Sequence, residues 1–149
     1  MTALIPEFVA RGMTVSTIKH AHHAFDVDQP GKDSWRHRQA GASEVMVVSQ
    51  TRWALMHELR DEPEPDLDAL VPRITPVDLL LVEGFKRHPH PKIEVHRPSL
   101  GKPPLHPEDP FVVAVASDER LGGLLLPWLP LDRPAVIAEF ILRHDGRAR

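Results

Sequence analysis

Thr14–Ala42 reads TVSTIKHAHHAFDVDQPGKDSWRHRQAGA, and the order of residue types in it decides the fold class. Thr14–Ile18 is a β-branched run, the composition of a buried strand. A dense polar loop follows at once, then Gln29-Pro30-Gly31 as a turn, then a short helix N-capped by Asp33 or Ser34 and stopped at Gly41. Strand, polar loop and capped helix form a βα unit. In open α/β sheets function gathers at the carboxyl ends of strands, so this loop is the first site candidate.

Working outward, Val45–Ser49 (VMVVS) has the composition of a second buried strand, and Trp53–His57 either extends the sheet or turns back on it. Asp78–Gly84 (DLLLVEG) is the strongest strand signal. Its continuous aliphatics predict a central parallel strand covered on both faces. Lys92–His96 alternates as a strand with one exposed face, and Phe111–Ala116 (FVVAVA) is another continuous apolar strand. Leu124–Leu131 is a short apolar segment broken by Pro127 and Pro130. Helices are expected over Thr2–Arg11, with Leu4, Ile5, Phe8 and Val9 on one face, around Leu67–Arg73, and over Pro134–Leu142. Alternating strands and helices predict a three-layer, mostly parallel α/β sheet.

A chain of 149 residues is long enough to bury one domain's core. A formal charge of −3 gives no electrostatic reason to expect nucleic acid or an anionic membrane as partner. No apolar run approaches the roughly 18 residues that span a bilayer, and Met1 opens no signal peptide. The absence of cysteine excludes disulfides and thiolate metal sites, as suits a cytoplasmic protein.

Several constellations carry chemistry. PGKDS at Pro30–Ser34 looks like the tail of a phosphate-binding loop, but Asp26 stands where that motif needs glycine and Asp33 where it needs Ser or Thr. Glu83-Gly84 ends the strongest strand. A carboxylate there can hold magnesium against phosphate oxygens while the glycine admits a terminal phosphate; it can equally cap a neighbouring helix. His20, His22 and His23 with Asp26 or Asp28 offer a Zn or Ni site of unfamiliar spacing. Lys19, Lys32, Arg36 and Arg38 suit an anion-binding cleft or a solvated helix face. Asp118, at the end of VVAVASD, can accept both donors of a guanine edge, or simply make a turn.

Taken together, STIKHAHHAFDVDQPGKDSWRHRQAGA, DLLLVEGFKRHPHPKIEVHR and VVAVASD closely resemble the MobB family of molybdopterin-guanine dinucleotide biosynthesis adapters. The resemblance runs in order over nearly the whole chain. It implies a P-loop NTPase fold that binds GTP and Mg2+, with at most weak GTPase activity and no catalytic residue to assign. It also implies a cytoplasmic homodimer, working with the guanylyltransferase that attaches GMP to molybdenum-bound molybdopterin and handling molybdopterin or its guanine dinucleotide. On matching positions it places Glu83 at magnesium and Gly84 at the terminal phosphate. Lys19, His20, Asp28 and Asp33 would line the nucleotide or switch region, and Asp118 would read guanine.

Family members begin with a strand and a GxxGxGKT-type loop, and their next helix continues into a sequence like the one at Met1. The expectation is a single domain over 1–149, truncated at its N-terminus and lacking that first strand and loop. GTP and Mg2+ binding would need such a loop to complete the site. The lost strand is expected between the strand at Thr14–Ile18, or its neighbours, and that at Asp78–Glu83. Two other readings stand beside this one: a metal-delivery protein using His20, His22 and His23, and a partner-binding protein without nucleotide.

Overall fold

The computed structural model describes residues 1–21 and 25–146. In chain order its elements are α1 (Ile5–Val9), β1 (Val15–Lys19), α2 (Asp33–Gln39), β2 (Glu44–Val48), β3 (Trp53–His57), α3 (Leu67–Leu70), β4 (Leu79–Glu83), β5 (Lys92–His96), β6 (Val112–Ser117), β7 (Trp128–Pro130) and α4 (Pro134–His144). They fall into two compact units, Met1–Lys19 with Thr75–Arg149, and His20–Ile74.

The first unit is α/β with parallel strands, as expected. β1 and β4 pair in parallel from Val15↔Leu79 to Lys19↔Glu83. Their register is set one residue earlier. The Thr14 amide and hydroxyl donate to Asp78 Oδ2 at 2.8 and 2.7 Å, and the Asp78 amide donates to Thr14 Oγ1 at 2.9 Å. β5, β6 and β7 form a second parallel sheet with β6 in the middle. β6 is the best-buried strand: Ala114 and Val115 have no exposed surface, and Ser117 is equally covered. The segment broken by prolines thus supplies a third parallel strand, β7, that its residues did not announce.

The expected break in the sheet lies elsewhere than the motif order suggested. β1 and β4 pair directly, so no strand is missing between them; the discontinuity separates that pair from β5–β6–β7. One pair of helices spans it. Leu4 beside α1 and Ile141 of α4 pack against both the Ala114–Ala116–Leu129–Ile137 cluster and the Phe8–Leu81–Ala138 cluster. β4 is therefore covered less than its aliphatic run predicts: Leu81 is buried, but Leu79, Leu80 and Val82 are half-buried. On α1, Phe8 is fully buried and Val9 is exposed, because adjacent helical residues point about 100° apart. β5 also inverts expectation, with Glu94 inside and Val95 outside.

In the second unit, α2 starts one residue early, with Lys32 at the N-cap position and no side-chain cap; Asp33 is its first helical residue. The preceding turn forms as read, with the Lys32 amide donating to Gln29 O at 3.1 Å and Gly31 at φ 84°. β2 and β3 form an antiparallel hairpin, which resolves the ambiguity of Trp53–His57. β2 is not the buried strand its composition suggests: only Val45 is covered, while Met46, Val47 and Val48 are exposed. A two-stranded ribbon has no third strand or second layer to hide both faces. Asp66 caps α3 by accepting the Ala69 amide at 2.8 Å.

Candidate functional site

The parallel register brings the side chains at the carboxyl ends of β1 and β4 together. Lys19 Nζ lies 3.2 Å from Glu83 Oε1, with both groups substantially exposed, so the pair contributes little to stability and leaves the carboxylate accessible. The chain then reverses sharply through Gly84 (φ 97°) and Phe85 (φ 48°). Glycine tolerates this backbone; phenylalanine is held in it at a cost. Lys92, at the start of β5, fastens the loop that follows. Its ammonium donates to Lys86 O at 2.7 Å, His88 O at 2.9 Å and Asp109 Oδ2 at 2.8 Å. The Lys92 hydrogen bond, with the Phe111 amide, holds the Asp109 carboxyl below its ordinary pKa.

At the end of β6, Asp118 Oδ2 accepts from Arg97 Nη1 at 3.3 Å. Trp128 Nε1 donates to Glu119 O at 3.1 Å, fixing the backbone just past Asp118. A base bound there would have to share Asp118 with Arg97.

In the second unit, His20 Nε2 is 2.7 Å from Glu64 Oε1. His22 and His23 lie outside the described residues, and among those described no group of three His, Asp or Glu residues is arranged to hold a metal. The basic group expected on an anion cleft is redistributed. Arg38 is turned inward against carboxylates, with Asp26 Oδ2 at 2.6 Å and Asp28 Oδ2 and Glu58 Oε1 both at 3.5 Å. The Asp28 side chain is almost fully buried, and among the described residues its Oδ2 and Arg38 Nε find no hydrogen-bond partner. The Arg38 hydrogen bond lowers the Asp26 pKa, and the same bond raises that of Arg38. Asp33 remains at the surface, 3.9 Å from Arg36. His57 is raised by its bond to Glu44, with Glu62 adding to the effect.

The donor set fits one end of a magnesium nucleotide. Magnesium keeps several waters and takes one or two carboxylates plus phosphate oxygens, which Glu83 alone can satisfy. The other end does not fit: residues 1–149 contain no glycine-rich GxxxxGK[ST] loop to present a nest of amides. Lys92, Arg97 and the acidic shell of Arg38 escaped the reading of residues, because each acts across a distance that spacing does not encode.

The chain matches the family model described as "Molybdopterin guanine dinucleotide synthesis protein B" over residues 1–118. It is 46% identical to the molybdopterin-guanine dinucleotide biosynthesis adapter protein of Haemophilus influenzae, over 98% of this chain and 83% of that one. It is 45% identical to the adapter of the same name from Escherichia coli, over 93% and 81%. A crystal structure of molybdopterin-guanine biosynthesis protein B superposes with a TM-score of 0.75 at 29% identity, covering 96% of this chain and 88% of that one. The Bacillus subtilis MobB structure shares the fold, with a TM-score of 0.68 at 23% identity over 95% and 86%.

Proposed function

The chain belongs to the molybdopterin guanine dinucleotide synthesis protein B family, and from that premise we propose that it is a GTP-binding adapter assisting the guanylyltransferase that attaches GMP to molybdenum-bound molybdopterin. The observation that carries the nucleotide half is the in-register meeting of Lys19 and Glu83 at adjacent parallel strand ends, followed by Gly84 at φ 97°. GTP and Mg2+ would bring a polyphosphate and its bridging cation to this edge. Glu83 would hold the cation, Lys19 would offset phosphate charge, and Gly84 would admit the terminal phosphate. Asp118 would accept from guanine N1–H and the exocyclic amine, which adenine does not offer. His20, Asp28 and Asp33 would belong to the switch region, with Asp28 acting through Arg38.

Equilibrium titration with GTP and Mg2+ tests this reading, on the 149-residue chain and on a form preceded by a glycine-rich phosphate loop. In the extended form, Glu83→Ala is expected to weaken the magnesium-dependent part of binding at least about tenfold, and Asp118→Ala to erase preference for GTP over ATP. Indifference of both forms to GTP overturns the nucleotide half. Co-sedimentation with the purified guanylyltransferase then decides whether the chain is a partner-binding protein without nucleotide.

The homodimer belongs to the same proposal. On one face of the β2–β3 hairpin the directly opposed pairs Met46↔Leu55 and Val48↔Trp53 leave large apolar side chains in water, Val48 at 68% and Trp53 at 64% exposure. Contiguous apolar patches of this kind mark association surfaces, and a second copy would cover this one. Met46→Glu with Trp53→Glu is expected to convert a dimer to a monomer in sedimentation velocity. A wild-type monomer at tens of micromolar would exclude the dimer.

A further inference from the structure

The loop after Glu83-Gly84 carries a feature the nucleotide reading does not use. His88 and His90, separated by Pro89, turn their rings together so that Nδ1 faces Nδ1 at 3.0 Å, with ring centroids 5.1 Å apart and planes tilted by 46°. Both residues are half-buried. A contact of two ring nitrogens at this distance needs one donor and one acceptor, so at least one imidazole is neutral and presents a lone pair.

The loop is built to keep them there. The His88 amide donates to Phe85 O at 3.0 Å and the His90 amide to His88 O at 2.9 Å. Pro89 and Pro91 restrict the backbone between and after the rings. Lys92 grips the His88 and Lys86 carbonyls, and Asp109 at 2.8 Å offsets part of the ammonium charge that His90 feels.

We propose that His88 and His90 form a chelating two-imidazole site for a borderline divalent transition metal, Cu2+ or Ni2+ in preference to Zn2+. Metal–nitrogen bonds of about 2.0–2.1 Å place cis imidazole nitrogens about 2.9 Å apart in a square-planar shell and about 3.3 Å apart in a tetrahedral one. The 3.0 Å separation is that of the ring-to-ring hydrogen bond and puts the two nitrogens within chelating reach. The preference follows from the shell, since two imidazoles completed by water make the nitrogen–oxygen square plane that Cu2+ and Ni2+ favour. Both rings bind as the Nε2–H tautomer: the shared Nδ1 proton goes to water, directly from an imidazolium or with a proton taken up at Nε2 of a neutral ring, and both Nδ1 lone pairs then face the metal. No third His, Asp or Glu among the described residues completes the shell, so water fills it and the ion exchanges readily.

Titration of the full chain with NiCl2 or CuCl2 tests the site, because His20, His22 and His23 offer a rival one in the same molecule. His88→Gln with His90→Gln is expected to remove one equivalent of bound metal or weaken it at least about tenfold, while His22→Gln with His23→Gln leaves that equivalent in place. Paramagnetic broadening of the wild-type imidazole resonances by sub-stoichiometric Cu2+ needs no variant to fold. Broadening centred on His88 and His90 sustains the site; broadening confined to His20–His23, or an unchanged titration in the double variant, overturns it.

Discussion

Replacing Phe8 with alanine is expected to lower the free energy of unfolding by about 4 kcal/mol. Phe8 has no exposed surface and packs with Leu81 of β4 and Ala138 of α4, so truncation opens a cavity among three elements at once. Neighbours cannot readily collapse into it, because Ala138 is small and Leu81 is held by the β1–β4 ladder. Against a typical total of roughly 5–15 kcal/mol, this loss leaves a marginal protein. Urea denaturation at pH 7 measures it. Phe8→Leu, which keeps much of the volume, should cost under about 1.5 kcal/mol. Equal losses for the two variants would show that the ring does not fill the site seen here. The position matters for function because Leu81 stands two residues before Glu83, so the packing that fixes β4 also fixes the candidate magnesium ligand.

The elements legible in the sequence were those whose cause is local. Pro-Gly spacing foretold the turn at Gln29–Lys32, and β-branched composition foretold β1. Position along the chain also marked Glu83 and Asp118 as strand-end carboxylates. What stayed hidden depends on which strand becomes whose neighbour. The run Val45–Val48 has core composition, yet it lies in a two-stranded ribbon and remains exposed. The direct pairing of β1 with β4 is a fact of topology, fixed by Thr14 and Asp78 64 residues apart. Arg38 shows the same limit in electrostatics. Next to Arg36 it reads as part of an anion cleft or of a solvated helix face, but in the folded unit Asp26, Asp28 and Glu58 claim it.

Glu94 gives the second large effect, and its sign can be worked out with pH. The side chain sits inside β5 at 6% exposure, where a charge survives only if fully hydrogen-bonded. It accepts the Leu105 amide at 2.6 Å, the His106 amide at 3.0 Å and His106 Nδ1 at 2.8 Å, tying the proline-rich loop to the strand. Burial pushes its pKa up, but these donors together outweigh burial and bring it below the ordinary value of 4.5. The folded protein therefore keeps this carboxylate charged to lower pH than the unfolded chain does. Its stabilisation is fully present above about pH 4.5 and is lost as pH falls through the lower folded value, because the unfolded chain then binds the extra proton. Glu94→Ala, which leaves two amides and an imidazole without their acceptor, is expected to cost about 3 kcal/mol at pH 7. The gap to wild type should shrink as urea titrations move from pH 5 to pH 3. A gap that stays constant over that range would mean the carboxylate's charge plays no part in holding the loop. The inward turn of Glu94 and outward turn of Val95 would then need an apolar explanation, and the buried face of β5 offers none at that position.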